Sequence, residues 1–165
     1  MVGRARCFAD VCPTTERDLA DGVGPAGLLA AAGAHLTLGT DSHAVIDMFE
    51  EMRAVELDAR LVSQRRGHWT ADELVGAATT TGHASLGFPD AGAIAVGQRA
   101  DLVALRRDTV RTAGAAPGEV PLVATAADVR TVVVDGRVVV ADGRHALGDV
   151  GALLSAAIEL LWRAS

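Results

Sequence analysis

Tyrosine is missing from this sequence of 165 residues, and aromatic residues of all kinds make up only 3% of it. Half of the residues are nonetheless hydrophobic, so the chain has enough apolar side chains to fill a core and does not belong to the disordered class. Alanine, valine, leucine and glycine must fill that core in place of aromatic rings. The length corresponds to about one domain.

Other absences narrow the class further. No hydrophobic run reaches the ~18 consecutive apolar residues of a membrane span, and no apolar core follows the charges at the N-terminus as in a signal peptide. These absences predict a cytoplasmic protein with no membrane partner. The formal net charge is −6 and no cluster of basic residues interrupts it, which argues against a nucleic-acid partner.

Cysteine is nearly absent too, because only Cys7 and Cys12 occur. Their spacing is not the C-x-x-C of a metal site, so we expect free, buried thiols.

The first half of the chain alternates between strand and helix patterns. Residues 6–12 predict a short buried strand that Pro13 ends, since proline cannot donate to a ladder. A polar loop at 18–24, a helix at 25–32 and a strand at 35–38 follow. Strand, helix and strand in this order are typical of a parallel sheet.

Two capped helices come next. Asp47 and Glu50 have the spacing of a capping box before a helix that we expect to end at Gly67, and Thr70 and Glu73 repeat that spacing. Helical spacing places five apolar residues of the first helix on its buried face: Met48, Met52, Val55, Ala59 and Val62. The second helix should continue to about residue 82, with another turn at 84–86.

His83 lies at the end of that second helix. We expect it to cap the helix C-terminus, where a histidine suits the helix dipole.

The second half changes character after a turn-rich stretch at 87–92. Short strands are predicted at 93–96 and 101–105, then a loop, then a hairpin whose Val-rich arms flank Asp135 and Gly136, a strong signal for a two-residue turn. A helix is predicted at 150–162. The expected units are therefore residues 1–88, α/β in pattern, residues 89–145, a small β module, and residues 146–165, a C-terminal helix.

The stretch at 38–43, LGTDSH, places an acid directly after the predicted strand at 35–38. An acid there points into the mouth of an α/β barrel, where such folds keep their chemistry. The Asp-Ser-His tripeptide is equally compatible with a plain N-cap or turn, because Asp and Ser bond nearby backbone N–H groups.

Three segments together carry a family resemblance: CPTTE at 12–16, LGTDSH at 38–43 and the Gly-to-Asp-Leu-Val pattern at 91–103. They resemble the C-terminal end of a metal-dependent amidohydrolase. The acidic loop at 18–22 and FEEMR at 49–53 make the chain most similar to the formimidoylglutamate deiminases of bacterial histidine breakdown.

The resemblance implies an α/β fold, namely the C-terminal part of a (β/α)8 TIM-type barrel plus the C-terminal share of a small β-sandwich. Residues 6–12 and 35–40 would be the seventh and eighth barrel strands. It also implies a zinc cofactor and a small-molecule substrate, N-formimidoyl-L-glutamate. Asp41 would ligate zinc and take a proton from the metal-bound water.

Three further residues are candidates for this site. His43 and Ser42 would support the site by hydrogen bonds or contact the substrate. Glu16 would face the pocket mouth and position substrate or a loop, and a simple loop-capping role is the alternative.

The chain departs from the family pattern in its histidines. The His-x-His pair and the further catalytic and metal-binding histidines of the family have no counterpart among the five present: His35, His43, His68, His83 and His145. A catalytic zinc needs three protein ligands, and only Asp41 matches a family motif. We therefore expect a C-terminal fragment of a deiminase that is inactive alone and aggregation-prone.

Two other interpretations stay open. The chain could derive from another amidohydrolase, such as a cytosine, guanine or triazine-type deaminase or a chlorohydrolase. It could also be a non-catalytic half that completes a barrel in trans with a separately encoded N-terminal half. The possible protein partners are therefore such an N-terminal half or further copies of this chain in a homo-oligomer.

Overall fold

Two sheets, one parallel and one antiparallel, organise the part of the chain that the structure describes, which is Ala5 and residues 7–164 of a computed structural model. The first half contains β1 (Phe8–Val11), α1 (Pro13–Asp18), α2 (Ala26–Ala31), β2 (His35–Leu38), α3 (Met48–Ser63), α4 (Ala71–Ala78) and α5 (Thr80–Ser85). The second half contains β3 (Leu102–Leu105), α6 (Val120–Val123), β4 (Val129–Val134), β5 (Arg137–Ala141), β6 (Arg144–His145) and α7 (Val150–Ala164). The mixed α/β content agrees with the predicted class.

The parallel sheet consists of β1 and β2, paired in register from Phe8 with His35 to Val11 with Leu38. Successive side chains of a strand point to opposite faces. One face carries Val11, Leu36 and Leu38, which pack in the main hydrophobic core with buried residues of two helices, namely Met52, Val55, Leu74 and Ala77. The strand predicted at 35–38 is confirmed, and that predicted at 6–12 is confirmed over Phe8–Val11, with Arg6 outside the described residues. Its expected burial is wrong, because only Val11 of β1 is buried.

The other face of this sheet is mixed in character. The rings of Phe8 and His35 lie 5.6 Å apart between centroids. Beside them, the Thr37 hydroxyl donates to Asp10 Oδ1 at 2.8 Å. Neither Phe8 nor His35 is covered by the described part of the chain.

Helix α1 is a departure from the sequence expectation, because the segment after Pro13 was predicted only to end a strand. Proline is favoured at the first helical position because no N–H is needed there and its φ is helical, so Pro13 starts α1 two residues after β1 ends. Arg17 then docks α1 on α3 through ion pairs to Glu50 and Asp58, at 3.1 and 2.9 Å. The helix predicted at 25–32 is confirmed as α2.

Helix α3 begins as predicted, because the Asp47 carboxylate accepts the N–H groups of Phe49 and Glu50. The reciprocal half of the capping box is not made, since the Glu50 carboxylate binds arginines instead. The predicted end at Gly67 is wrong: Gln64 adopts a left-handed conformation and terminates α3 at Ser63.

The cause of that early end is a buried carboxylate, Glu56. It accepts the N–H groups of Gly67 and Trp69 at 2.9 and 2.7 Å, which turns the chain back along α3. Val62, expected on the buried face, is exposed for the same reason, because the helix end projects past the core.

Helix α4 has the predicted capping box, with Thr70 and Glu73 each bonded to the backbone N–H of the other. The chain breaks at Thr79 before α5, so the predicted continuous helix to residue 82 is wrong. Gly92 packs on this break: a Cβ there would lie 2.6 Å from Thr79 C. The ring of His83, in the last turn of α5, is 2.9 Å from the Thr79 carbonyl oxygen.

The strand predicted at 93–96 is wrong. Ile94 and Val96 are fully exposed, and residues 90–99 form a loop whose ends are joined by hydrogen bonds from Arg99 to Asp90. Those closing bonds leave the apolar residues between them without a neighbouring strand.

The antiparallel sheet has the order β3-β4-β5-β6. The strand predicted at 101–105 is confirmed as β3, and the hairpin of β4 and β5 turns at Asp135 and Gly136, both with positive φ. This is the predicted two-residue turn.

The segment between β3 and β4 was predicted as a loop, and it contains α6 and a 3-10 turn at Ala126–Asp128. Its centre is the fully buried Asp128. The carboxylate accepts hydrogen bonds from Thr109, Arg111 and Thr125. Hydrogen bonding to Arg111 outweighs the opposing effect of burial and holds the pKa of Asp128 well below its usual range.

Helix α7 is confirmed, and every side chain described along it is exposed. No helix in the described ranges is both long and apolar enough to cross a membrane. The two cysteines are free as predicted, but their expected burial is wrong, because Cys7 is exposed and Cys12 only half-buried.

Gly92 and Gly97 offer a matched pair of substitutions. Both have a positive φ near 85–89°, but a Cβ at Gly97 meets nothing within 4 Å. We expect Gly97→Ala to cost about 1–2 kcal/mol from backbone strain alone, and Gly92→Ala roughly 1–3 kcal/mol more from the clash with Thr79. Urea unfolding followed by circular dichroism measures both, and equal losses would contradict this packing.

The depressed pKa of Asp128 predicts a pH dependence of stability. The carboxylate stabilises the fold fully above its unfolded pKa of about 3.9, and the contribution is lost as pH falls through the lower folded value. Asp128→Asn should lower the free energy of unfolding by roughly 1–3 kcal/mol at pH 7, and the difference from wild type should narrow only below about pH 4. Asp108→Asn, which removes an exposed ion pair to Arg106, should leave unfolding nearly unchanged.

Candidate functional site

Asp41 lies in a tight turn directly after β2. Asp41 and His43 both have positive φ, 47° and 57°, and the His43 N–H donates to the Thr40 carbonyl at 3.1 Å. Asp and His are among the residues that tolerate this backbone region. The turn therefore presents an exposed carboxylate at the carboxyl end of a parallel strand, which is the edge where α/β proteins bind ligands.

A buried hydroxyl from α1 fixes this turn. Thr15 Oγ1 donates to the Thr40 carbonyl at 2.8 Å, accepts the Ser42 N–H at 3.2 Å, and lies 2.9 Å from Ser42 Oγ. With the only hydroxyl proton of Thr15 on Thr40, the Ser42 hydroxyl must donate to Thr15. The backbone on both sides of Asp41 is thus held to a side chain that is only 2% exposed.

Sequence reasoning did not single out Thr15. Its only signal was membership of the CPTTE motif at 12–16. The preceding Thr14 was missed as well: its N–H donates to Glu51 Oε2 at 3.1 Å and its hydroxyl to Glu51 Oε1. Glu51 is completely buried, so this pair joins α1 to α3 and sets the position of Thr15.

Of the other predicted site residues, Ser42 and His43 lie in the turn of Asp41, whereas Glu16 lies in α1. Ser42 is in the turn and bonded to Thr15, while His43 is in the turn with an exposed side chain. Glu16 accepts the Cys12 N–H at 3.1 Å, at the start of its own helix. The structure therefore brings Ser42 and His43 to Asp41 and engages Glu16 with the beginning of α1.

Beneath the turn lies a compact group on the mixed face of the parallel sheet. Cys12 Sγ is 3.5 Å from Asp10 Oδ2. A Cβ at Gly39 would lie 2.9 Å from Asp10 Oδ2 and 3.1 Å from Cys12 Sγ. A side chain at position 39 would therefore require the Asp10 carboxylate and the Cys12 thiol to shift.

The thiol of Cys12 in this group has a raised pKa. Burial, followed by the charge and hydrogen bond of Asp10, raises the pKa of Cys12 to about 12. The thiolate is the reactive form of cysteine, so the raised pKa disfavours Cys12 as a nucleophile at neutral pH.

The described residues do not build a metal site by themselves. A carboxylate such as Asp41 is a suitable zinc ligand, but a catalytic zinc takes three protein ligands. Across Ala5 and residues 7–164, no group of three or more His, Cys, Asp or Glu side chains is arranged to hold a metal ion. Within these described residues, no other side chains take the place of the metal-binding histidines that the family pattern has and the sequence lacks.

Comparison with known proteins identifies the family. A model of the Amidohydrolase family matches residues 3–139. The chain therefore belongs to the amidohydrolase family, as the resemblance of its motifs predicted.

Two curated relatives show the range within that family. The formimidoylglutamate deiminase of Pseudomonas aeruginosa is 37% identical over 111 residues, which covers 63% of this chain and 24% of that protein. A 5-methylthioadenosine/S-adenosylhomocysteine deaminase of Desulfitobacterium hafniense is 36% identical over 129 residues, covering 75% of this chain and 30% of that protein. The chain thus spans 24–30% of the length of these relatives.

Solved structures agree on the fold. An adenosine deaminase from Xanthomonas campestris with bound zinc superposes with a TM-score of 0.82 at 29% identity, over 93% of this chain and 36% of that one. An amidohydrolase from Brucella melitensis gives a TM-score of 0.79 at 30% identity, over 97% of this chain and 38% of that one.

The contacts of Thr15 predict the effect of removing its hydroxyl. Thr15→Val keeps the shape but leaves the Ser42 N–H without its acceptor, at a cost of about 1 kcal/mol. We expect the Ser42 amide to exchange with solvent about fivefold faster, measured by NMR hydrogen exchange. Thr15→Ser retains the hydroxyl and should exchange as wild type; equal exchange in the Val and Ser variants would contradict the role of this hydroxyl.

Proposed function

We propose that this chain is the part of a metal-dependent amidohydrolase that carries the acid after the eighth barrel strand, Asp41. The observation that supports this most directly is an exposed Asp41 carboxylate at the carboxyl end of β2, in a turn held by Thr15. In this proposal β1 and β2 are barrel strands seven and eight. Residues 89–145 form the C-terminal share of a β-sandwich, and residues 146–165 a terminal helix.

The substrate that we propose for the complete enzyme is N-formimidoyl-L-glutamate. Water adds to the formimidoyl carbon, ammonia leaves, and N-formyl-L-glutamate is the product, a step of histidine degradation in the cytoplasm. The support is the CPTTE and DSH motifs together with the 37% identity to the Pseudomonas aeruginosa deiminase.

Asp41 is proposed as the proton-handling group of this reaction and as a zinc ligand. A carboxylate at this place can accept a proton from the attacking water and later give it to the departing amine. Its exposure and its fixed turn suit that role, while Ser42 holds the turn and His43 lies beside it. Zinc would take its remaining ligands from polypeptide outside this chain, since the described residues supply no complete set.

A second candidate is deamination of an adenosine-type substrate. The deaminase of Desulfitobacterium hafniense matches more of this chain, 75%, at almost the same identity, and the Xanthomonas campestris adenosine deaminase superposes closely. Both reactions release ammonia after water attacks a C–N carbon, so the acid of Asp41 would serve either one.

Activity assays test this proposal. The purified chain with added zinc should release no ammonia from N-formimidoyl-L-glutamate above an Asp41→Ala control. The complete enzyme, reconstituted with the upstream part of the Pseudomonas aeruginosa deiminase, should release ammonia, and Asp41→Ala should lower kcat by about 10³-fold. Faster turnover of adenosine than of the formimidoyl compound would favour the second candidate. Ammonia release by the chain alone would contradict the proposal that the remaining zinc ligands lie outside this chain.

A further inference from the structure

Helix α3 carries an acidic side chain, Glu51, on the face that packs against the core. Glu51 lies one turn after Met48 and one turn before Val55, both of which belong to the hydrophobic core or pack against it. Its side chain is completely buried. Burying a carboxylate is unfavourable unless hydrogen bonds or an opposite charge compensate it, so the partners of Glu51 decide what this residue can do.

No cationic side chain compensates the charge of Glu51. Among the residues that the structure describes, no arginine or histidine pairs with it, and the guanidinium of the nearby Arg53 binds Glu50 instead. Both carboxylate oxygens are bound by one residue, since the Thr14 N–H donates to Oε2 at 3.1 Å and the Thr14 hydroxyl donates to Oε1. The buried charge is therefore held by a single point on α1.

This contact fixes the first turn of α1. Thr14 is the second residue of the helix, where a backbone N–H has no partner within the helix. Thr15 follows it and bonds the Thr40 carbonyl and the Ser42 N–H. The other attachment of α1 to α3 is the partly exposed ion pairing of Arg17, a kind of contact that contributes little. A shift of the first turn would move the Thr15 hydroxyl away from both of its partners.

We propose that Glu51 is a positioning residue for Asp41. Glu51 holds Thr14, Thr14 sets the place of Thr15, and Thr15 fixes the backbone on both sides of the acid. A hydrophobic side chain would fill the same space without a buried charge, so the carboxylate contributes orientation beyond packing. The inference rests on the proposed function, because the reaction proposed above is what requires Asp41 to be held in place.

Glu56 provides a matched control on the same helix. It is also a buried carboxylate, and it accepts the N–H groups of Gly67 and Trp69. Glu56 therefore holds the turn after α3 in the way that Glu51 holds the start of α1. The same substitution at the two positions removes a buried acceptor of backbone N–H groups in each case, but only position 51 is connected to the turn of Asp41.

NMR of the whole chain tests this proposal. Glu51→Met leaves the Thr14 N–H without its acceptor, and we expect the Ser42 amide to exchange with solvent about threefold to fivefold faster. The order parameter of the Asp41 amide should fall from about 0.85 toward about 0.6, the values of rigid and flexible backbone. Glu51→Gln keeps an acceptor oxygen for the Thr14 N–H and should stay within about twofold of wild type.

The control and a double variant separate positioning from general loosening. Glu56→Met should speed exchange of the Trp69 amide and leave that of Ser42 unchanged. If Glu51 acts through Thr15, Glu51→Met combined with Thr15→Val should exchange at Ser42 as Thr15→Val alone does. Independent effects would instead multiply to about 15-fold to 25-fold.

Three results would overturn the proposal: equal acceleration at Ser42 in Glu51→Met and Glu56→Met, multiplied effects in the double variant, or an unchanged order parameter at Asp41. Should Glu51→Met not fold, Thr14→Val, which removes only the hydroxyl donor, replaces it with an expected rise of about twofold. None of these measurements needs a substrate. A complete enzyme that releases no ammonia would count against the proposed function and leave the positioning by Glu51 intact.

Discussion

The hydroxyl of Thr15 is the contact on which the proposed site depends. It holds the backbone on both sides of Asp41, one residue before it and one after it, so that the acid needs no contact of its own to stay in place. A carboxylate that must exchange protons benefits from this arrangement, because hydrogen bonds to its own oxygens would favour one protonation state. The hydrogen bonds to the backbone of Thr40 and Ser42 fix the turn, and the carboxylate of Asp41 stays available for proton transfer.

The position of Thr15 is set in turn by α1 and α3. Thr14 is bound to the buried Glu51, and Asp47 at the start of α3 accepts the Ala126 N–H at 2.9 Å. The connection therefore runs from the turn of Asp41 through two helices to the segment that leads into β4.

Local chemistry explains which features the sequence predicts and which it does not. The N-cap of Asp47, the capping box of Thr70 and the turn at Asp135 depend on neighbours within four residues, and they are confirmed. The reciprocal bond expected from Glu50 is not made, because distant and nearby arginines bind its carboxylate. The end of α3 depends on Glu56 accepting an amide eleven residues away, and the loop at 90–99 on a closure by Arg99, so both were wrong. Asp41 was visible from its strand and family motif. The role of Thr15 depends on a residue 27 positions away, and no local pattern reports such a contact.

Glycine 39 has a consequence for how this chain can change over time. A Cβ there would lie 2.9 Å from Asp10 Oδ2 and 3.1 Å from Cys12 Sγ, so a side chain at 39 requires the side chains of Asp10 and Cys12 to shift or to become smaller. Changes at the three positions should therefore be coupled among relatives. Since residues 10 and 12 belong to one strand and residue 39 follows the other, such co-variation would record the pairing of β1 with β2 in sequences alone.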